Sequence, residues 1–166
     1  YNLFNIFYIL TLMSQHYFMR FLFLFYFSFF CFTSAGYAES PMLQNIDGPQ
    51  IALKSLKGKW VYINYWASWC APCLHEIPEI NHFYQQYKNK NIMVFGVNYD
   101  ALPQDQQRDL IQKYKLSYPS LGIDPADALK LGDIKGVPVT FIFNPEGNLF
   151  DIKYGEQTVT SLSAYL

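Results

Sequence analysis

Residues 60–73 read WVYINYWASWCAPC, from Trp60 to Cys73, and decide how the chain folds. Trp60 to Trp66 is seven residues of aromatic and β-branched character, the signature of a buried strand. Lys57-Gly58-Lys59 before it is a turn. Two cysteines follow, three positions apart, with Pro72 between them. Beyond Cys73, Ile77, Ile80, Tyr84 and Tyr87 recur at helical spacing, and Pro78 is expected to kink that helix. A Cys-x-x-Cys pair therefore sits where a core strand hands over to a helix.

Outward from this junction, Ile92 to Val97 (IMVFGV) is a second buried strand. Pro103 to Lys115 is an amphipathic helix with Leu110, Ile111 and Tyr114 on its inner side. A short extended piece at Ser120-Leu121 and a helix over Ala126 to Leu131 follow. Val139 to Phe143 (VTFIF) is a third core strand. Asn144-Pro145-Glu146-Gly147-Asn148 is a strong turn signal, so Leu149 to Tyr154 returns antiparallel. Thr158 to Leu166 closes the chain as a short helix. Upstream, Gly48-Pro49 between the apolar patches 43–46 and 51–53 predicts an N-terminal β-hairpin. Strands alternating with helices and ending in a hairpin specify one α/β domain over residues 39–166.

The first 38 residues are different material. The chain has 166 residues, 51% of them hydrophobic, and 12 basic against 13 acidic side chains. Every acid lies at Glu39 or beyond, Arg20 is the one Lys or Arg before that point, and ten of the fifteen Phe precede it. Phe21 to Phe32 is apolar except for Ser28, follows Arg20, and ends before Thr33-Ser34-Ala35-Gly36-Tyr37-Ala38. A positive residue, an apolar run and a small-x-small site describe a secretory signal peptide cut after Ala38. Residues 3–13 are also apolar, so an uncleaved membrane anchor and a buried core helix are the alternative readings of residues 1–38. Translation from Met13 or Met19 would shorten this leader. The near-neutral charge excludes the basic excess expected of a nucleic-acid partner.

Once the leader is set aside, Cys70 and Cys73 are the remaining cysteines, in a chain directed to an oxidising compartment. Two intervening residues close too small a loop for a structural staple. The spacing lets the sulfurs meet across the first helical turn, with Cys70 at the helix N-terminus, where free N–H groups and the dipole favour a thiolate. Cys70 is then the nucleophile of disulfide exchange, and Cys73 resolves the mixed disulfide. Haem attachment requires His directly after the second cysteine, and Leu74 stands there. A zinc site needs four ligands, and His75 and His82 are the only further candidates nearby. No cofactor or metal is expected beyond the Cys70–Cys73 pair.

These residues resemble the thioredoxin superfamily, and within it the exported or membrane-tethered thiol–disulfide oxidoreductases of the TlpA/ResA type. The likeness spans roughly residues 43–166. It rests on Gly58-Lys59, the run Asn64 to Cys73, Glu76 and Pro78, Gly136-Val137-Pro138-Val139-Thr140, and the Asn-Pro-Glu-Gly turn. It implies a thioredoxin-like fold, with a central mixed β-sheet flanked by helices, the N-terminal hairpin and an inserted helical segment. It implies that Pro138 is the family's cis-proline beside the disulfide. Val137 then offers backbone to an extended substrate, and Trp69 shapes the docking surface. Asn64 stands where cytosolic thioredoxins carry a buried, titrating Asp. Glu76 matches a Glu that the TlpA/ResA branch places three residues after the second cysteine. On a helix that spacing makes Glu76 a neighbour of Cys73. A partly buried carboxylate there disfavours thiolate and can take the Cys73 proton.

The resemblance therefore implies an enzyme that exchanges protein disulfides in the periplasm, as a reductant, with cytochrome c maturation among the family's tasks and a transmembrane electron donor as partner. Three rivals share the fold. A disulfide-forming oxidant keeps the same motif. A thiol peroxidase commonly carries Thr three residues before its reactive cysteine, where this chain has Ala67. A metal-binding module needs no exchange at all.

Overall fold

The structure is a computed structural model that describes residues 40–166, so the leader expected over residues 1–38 lies outside the described residues. Strand β1 (Met42–Gln44) pairs antiparallel with β2 (Gln50–Ala52) as the expected hairpin, forming a small sheet of its own. A 3-10 turn over Leu53–Leu56, which the sequence pattern does not announce, leads to β3 (Trp60–Trp66). Helix α1 (Ala71–Tyr87), β4 (Ile92–Asn98) and α2 (Gln104–Lys113) follow. Next come β5 (Ser120–Leu121), α3 (Ala126–Leu129), β6 (Val139–Phe143), β7 (Leu149–Tyr154) and α4 (Val159–Ser163).

The main sheet has the order β5-β4-β3-β6-β7. Strand β3 is central, parallel to β4 and antiparallel to β6, which makes the sheet mixed. Its composition follows from burial on both faces. Val61, Ile63 and Tyr65 point into one apolar layer with Phe95, Val97, Leu121, Phe141 and Phe143. Tyr62 points to the opposite layer, where Ile80 and Phe83 of α1 meet Ile92, Val94, Ile142 and Leu162. At the end of that layer Trp66 packs with Ala67, Cys70, Cys73 and Ile77. The two cysteines thus sit in an apolar cluster of their own at the end of β3.

Several boundaries differ from the sequence reading. Helix α1 holds Pro78 within its length, as expected, but its deepest aromatic is Phe83 rather than Tyr84 or Tyr87, which are half-buried. Three residues separate Ile80 from Phe83, which keeps Phe83 on the buried stripe. Helix α3 stops at Leu129 because Lys130 adopts a left-handed conformation, φ 54°. Helix α4 is also short, started by a reciprocal cap between Thr158 and Ser161. On α2, Leu110, Ile111 and Tyr114 lie against the site cluster as expected but only half-buried, while Gln107 is the buried residue. The β6–β7 hairpin closes at Asn144, whose N–H donates to the Asn148 carbonyl, and Gly147 takes φ 87° there.

Candidate active site

Cys70 caps the N-terminus of α1: its Sγ accepts from the Cys73 N–H at 3.2 Å, and Pro72 occupies the first turn, where a missing N–H costs nothing. Cys70 and Cys73 are joined as a disulfide, with Cα atoms 5.2 Å apart. Both are covered, Cys73 at 1% exposure and Cys70 at 4%, while Trp69 beside them is 67% exposed. Val137 packs against the cluster that holds both cysteines, and the Val137–Pro138 peptide bond is cis. The structure therefore gathers Cys70, Cys73 and Val137 into one cluster, with Trp69 and Pro138 adjoining them in the chain.

The turn before Cys70 is held by an unforeseen residue. Asp100, just past β4, accepts from the Ser68 N–H and the Ser68 hydroxyl, both at 2.8 Å. It also accepts from Asn98 Nδ2 at 2.6 Å. The Cys70 N–H donates to the Ala67 carbonyl, closing the same turn. A strand-end carboxylate thus fixes the segment carrying Trp69 and Cys70.

Below the disulfide, Glu76 lies on the inner face of α1 and is 2% exposed. The sequence reading placed a partly buried carboxylate here; the side chain is fully enclosed. Asn64 Nδ2 donates to Glu76 Oε1 at 3.2 Å and to Thr140 Oγ1 at 3.1 Å, tying α1 to β3 and β6. Burial pushes the Glu76 carboxyl up from 4.5 to about 8; the Gln157 backbone amide opposes that rise and the Glu156 charge adds to it. Glu76 is therefore mainly protonated at neutral pH, and its like-charge effect on the thiols belongs to alkaline conditions. Asn64 does not titrate, but it is the anchor of this network. Its position opposite Glu76 is a contact across twelve residues that spacing does not reveal. Among the described residues, no group of three or more His, Cys, Asp or Glu side chains is placed to hold a metal ion, and no helix is long and apolar enough to cross a membrane.

The AhpC/TSA family model matches residues 37–152. The thiol-disulfide oxidoreductase ResA of a Bacillus cereus strain is 31% identical over 132 residues, covering 77% of this chain and 75% of that protein. ResA of Bacillus subtilis (strain 168) is 28% identical over 129 residues, 78% of this chain and 72% of its own. Among solved structures, StoA from Bacillus subtilis superposes with a TM-score of 0.63 at 26% identity, covering 76% of this chain and 98% of StoA.

Proposed function

The chain belongs to the AhpC/TSA family and, within it, is a thiol–disulfide oxidoreductase of the ResA type; from that premise we propose that it reduces disulfides of exported proteins. The observation that carries this reading is the capped Cys70–Cys73 pair with a buried, protonatable Glu76 one turn below it. In the reduced protein the Cys70 thiolate attacks a substrate disulfide, and one substrate sulfur leaves as thiolate. In the molecules whose Glu76 is ionised, a fraction that grows toward pH 8, Cys73 gives its proton to the Glu76 carboxylate and attacks Cys70 Sγ. The second substrate thiolate then departs, and the Cys70–Cys73 bond forms. Two electrons pass to the substrate, and the redox group is the cysteine pair itself, with no added cofactor. A carboxyl near pH 8 is well matched to a thiol whose free value is about 8.5, so the transfer is close to balanced.

Exposed Trp69 and half-buried Val137 form the surface on which an extended protein substrate lies, with Pro138 buried behind them. Re-reduction calls for an electron donor in the membrane, and residues 1–38 direct the protein to the periplasm, as a cut signal or as a tether. Apocytochrome c is a substrate of the right class for such a reductant. Pro72 before the second cysteine matches reducing relatives and favours the reducing direction over oxidation. Equilibration with glutathione tests this: the expected potential is close to the thioredoxin value of about −270 mV. A value near that of the oxidant DsbA, about −120 mV, contradicts the direction and revives the disulfide-forming alternative.

A further inference from the structure

Three buried side-chain polar atoms among the described residues have no hydrogen-bond partner: Trp66 Nε1, Tyr118 OH and Ser120 Oγ. Two of the residues that carry them, Tyr118 and Ser120, approach the same backbone position. A Cβ built on Gly96 would lie 3.0 Å from the Tyr118 ring edge and 3.2 Å from Ser120 Oγ. Gly96 is the β4 register partner of Asn64, and Ser120 is the β5 partner of Gly96. Asn64 in turn holds Glu76. Tyr118 packs in the cluster that contains Ile80, one turn along α1 from Glu76. A bare glycine in the strand next to Asn64 thus brings two residues with unspent hydroxyls to the sheet row of Asn64, which holds the carboxyl that takes up the Cys73 proton.

We propose that Tyr118 is a positioning residue for Glu76, its hydroxyl donating to the ionised carboxylate directly or across one buried water shared with Ser120. A buried hydroxyl without a partner costs free energy, so a donor kept in that condition calls for an explanation. Neutral Glu76 needs few donors, and Asn64 already serves Oε1. The anion needs more, and Tyr118 and Ser120 are the unspent hydroxyls on its side of the sheet. The groups facing Glu76 are Cys73 on its own helix, Asn64 and Thr140 on the sheet, Tyr118 before β5, and Glu156 with the Gln157 amide before α4. His75 Nδ1 lies 3.8 Å from Glu156 Oε1. Asn64 and the Gln157 amide already donate to the carboxyl and Thr140 Oγ1 accepts from Asn64, so of the facing hydroxyls that of Tyr118 is the one with no hydrogen bond of any kind. During resolution the Cys73 proton moves to Glu76 and returns to solvent before the next turnover. A donor that holds the anion keeps Glu76 ready to accept.

This rests on the proton-accepting role given to Glu76 above, so the test includes Glu76→Gln. With the full chain, the resolution rate of a mixed disulfide with a disulfide-bonded peptide is followed against pH, beside an NMR titration of the Glu76 carboxyl. Tyr118→Phe keeps the ring against Gly96 and removes only the hydroxyl. Its carboxyl and rate inflections should both move upward by about one pH unit, the size of a lost hydrogen bond to an ionised group. Ser120→Ala should move them the same way by less, and it serves alone if Tyr118→Phe does not fold. Unmoved inflections in the folded variants, with Glu76→Gln flattening the rate profile, overturn the Tyr118 role and leave that of Glu76 intact. A rate profile that Glu76→Gln leaves unflattened overturns both.

Discussion

Replacing Glu76 by Gln in the oxidised protein, where Cys70 and Cys73 do not titrate, should reverse the order of stability between wild type and variant as pH rises. Glu76 is 2% exposed, and its carboxyl is raised from 4.5 to about 8 chiefly by burial. In the unfolded chain it ionises near 4.5, while in the fold it stays protonated until about pH 8. The unfolded state therefore binds fewer protons across that window, and wild-type stability falls as pH rises through it. Each pH unit is worth about 1.4 kcal/mol, so the fold loses about 3 kcal/mol by about pH 7 and about 4 kcal/mol by about pH 8 relative to about pH 4.5. Gln carries no such penalty. It does, however, set an amide N–H₂ against the Gln157 backbone N–H, a pH-independent cost of about 1–3 kcal/mol. Glu76→Gln should thus be less stable than wild type near pH 4.5 and more stable near pH 8. Urea unfolding of both proteins from about pH 4 to about pH 9 measures the difference. A difference that stays constant over that range refutes the enclosed, protonated Glu76.

Two further outcomes follow from the same geometry. Asp100→Ala removes the acceptor of both Ser68 bonds, so it should cost about 1–2 kcal/mol and raise KM for protein substrates more than it lowers kcat, read by steady-state kinetics. N-terminal sequencing of the exported protein should begin at Glu39, whereas an intact apolar N-terminus in the membrane fraction would favour the tethered form.

Elements with a periodic signature were legible from the residues alone. Trp60 to Trp66, Ile92 to Val97 and Val139 to Phe143 declare themselves as strands by short, predominantly apolar and β-rich runs, and the Asn144–Asn148 turn fixes the final hairpin. Local chemistry was legible too: Cys70 as helix cap and Cys73 one turn on depend on spacing within a single turn. What escaped depends on contacts distant in sequence. Asn64 meets Glu76 and Thr140 across 12 and 76 residues, and Ser68 meets Asp100 across 32. Tyr118, in a loop with no period, becomes notable only when Gly96 brings it beside the Asn64 row. The full burial of Glu76 belongs here as well. A carboxylate on a helix reads as solvated until the sheet beneath it is in place.

The division of labour between the cysteines is the centre of the account, and trapping tests it most directly. Cys73→Ser leaves Cys70 to attack with nothing to resolve the adduct, so substrates should accumulate as mixed disulfides on Cys70, seen without reductant and identified by mass spectrometry. Cys70→Ser should hold few, because Cys73 lies within the first turn of α1 and lacks the helix-capping position that favours a thiolate at Cys70. Exported proteins bound through Cys70 are the predicted result. Adducts formed mainly through Cys73, or none with either folded variant, would contradict it.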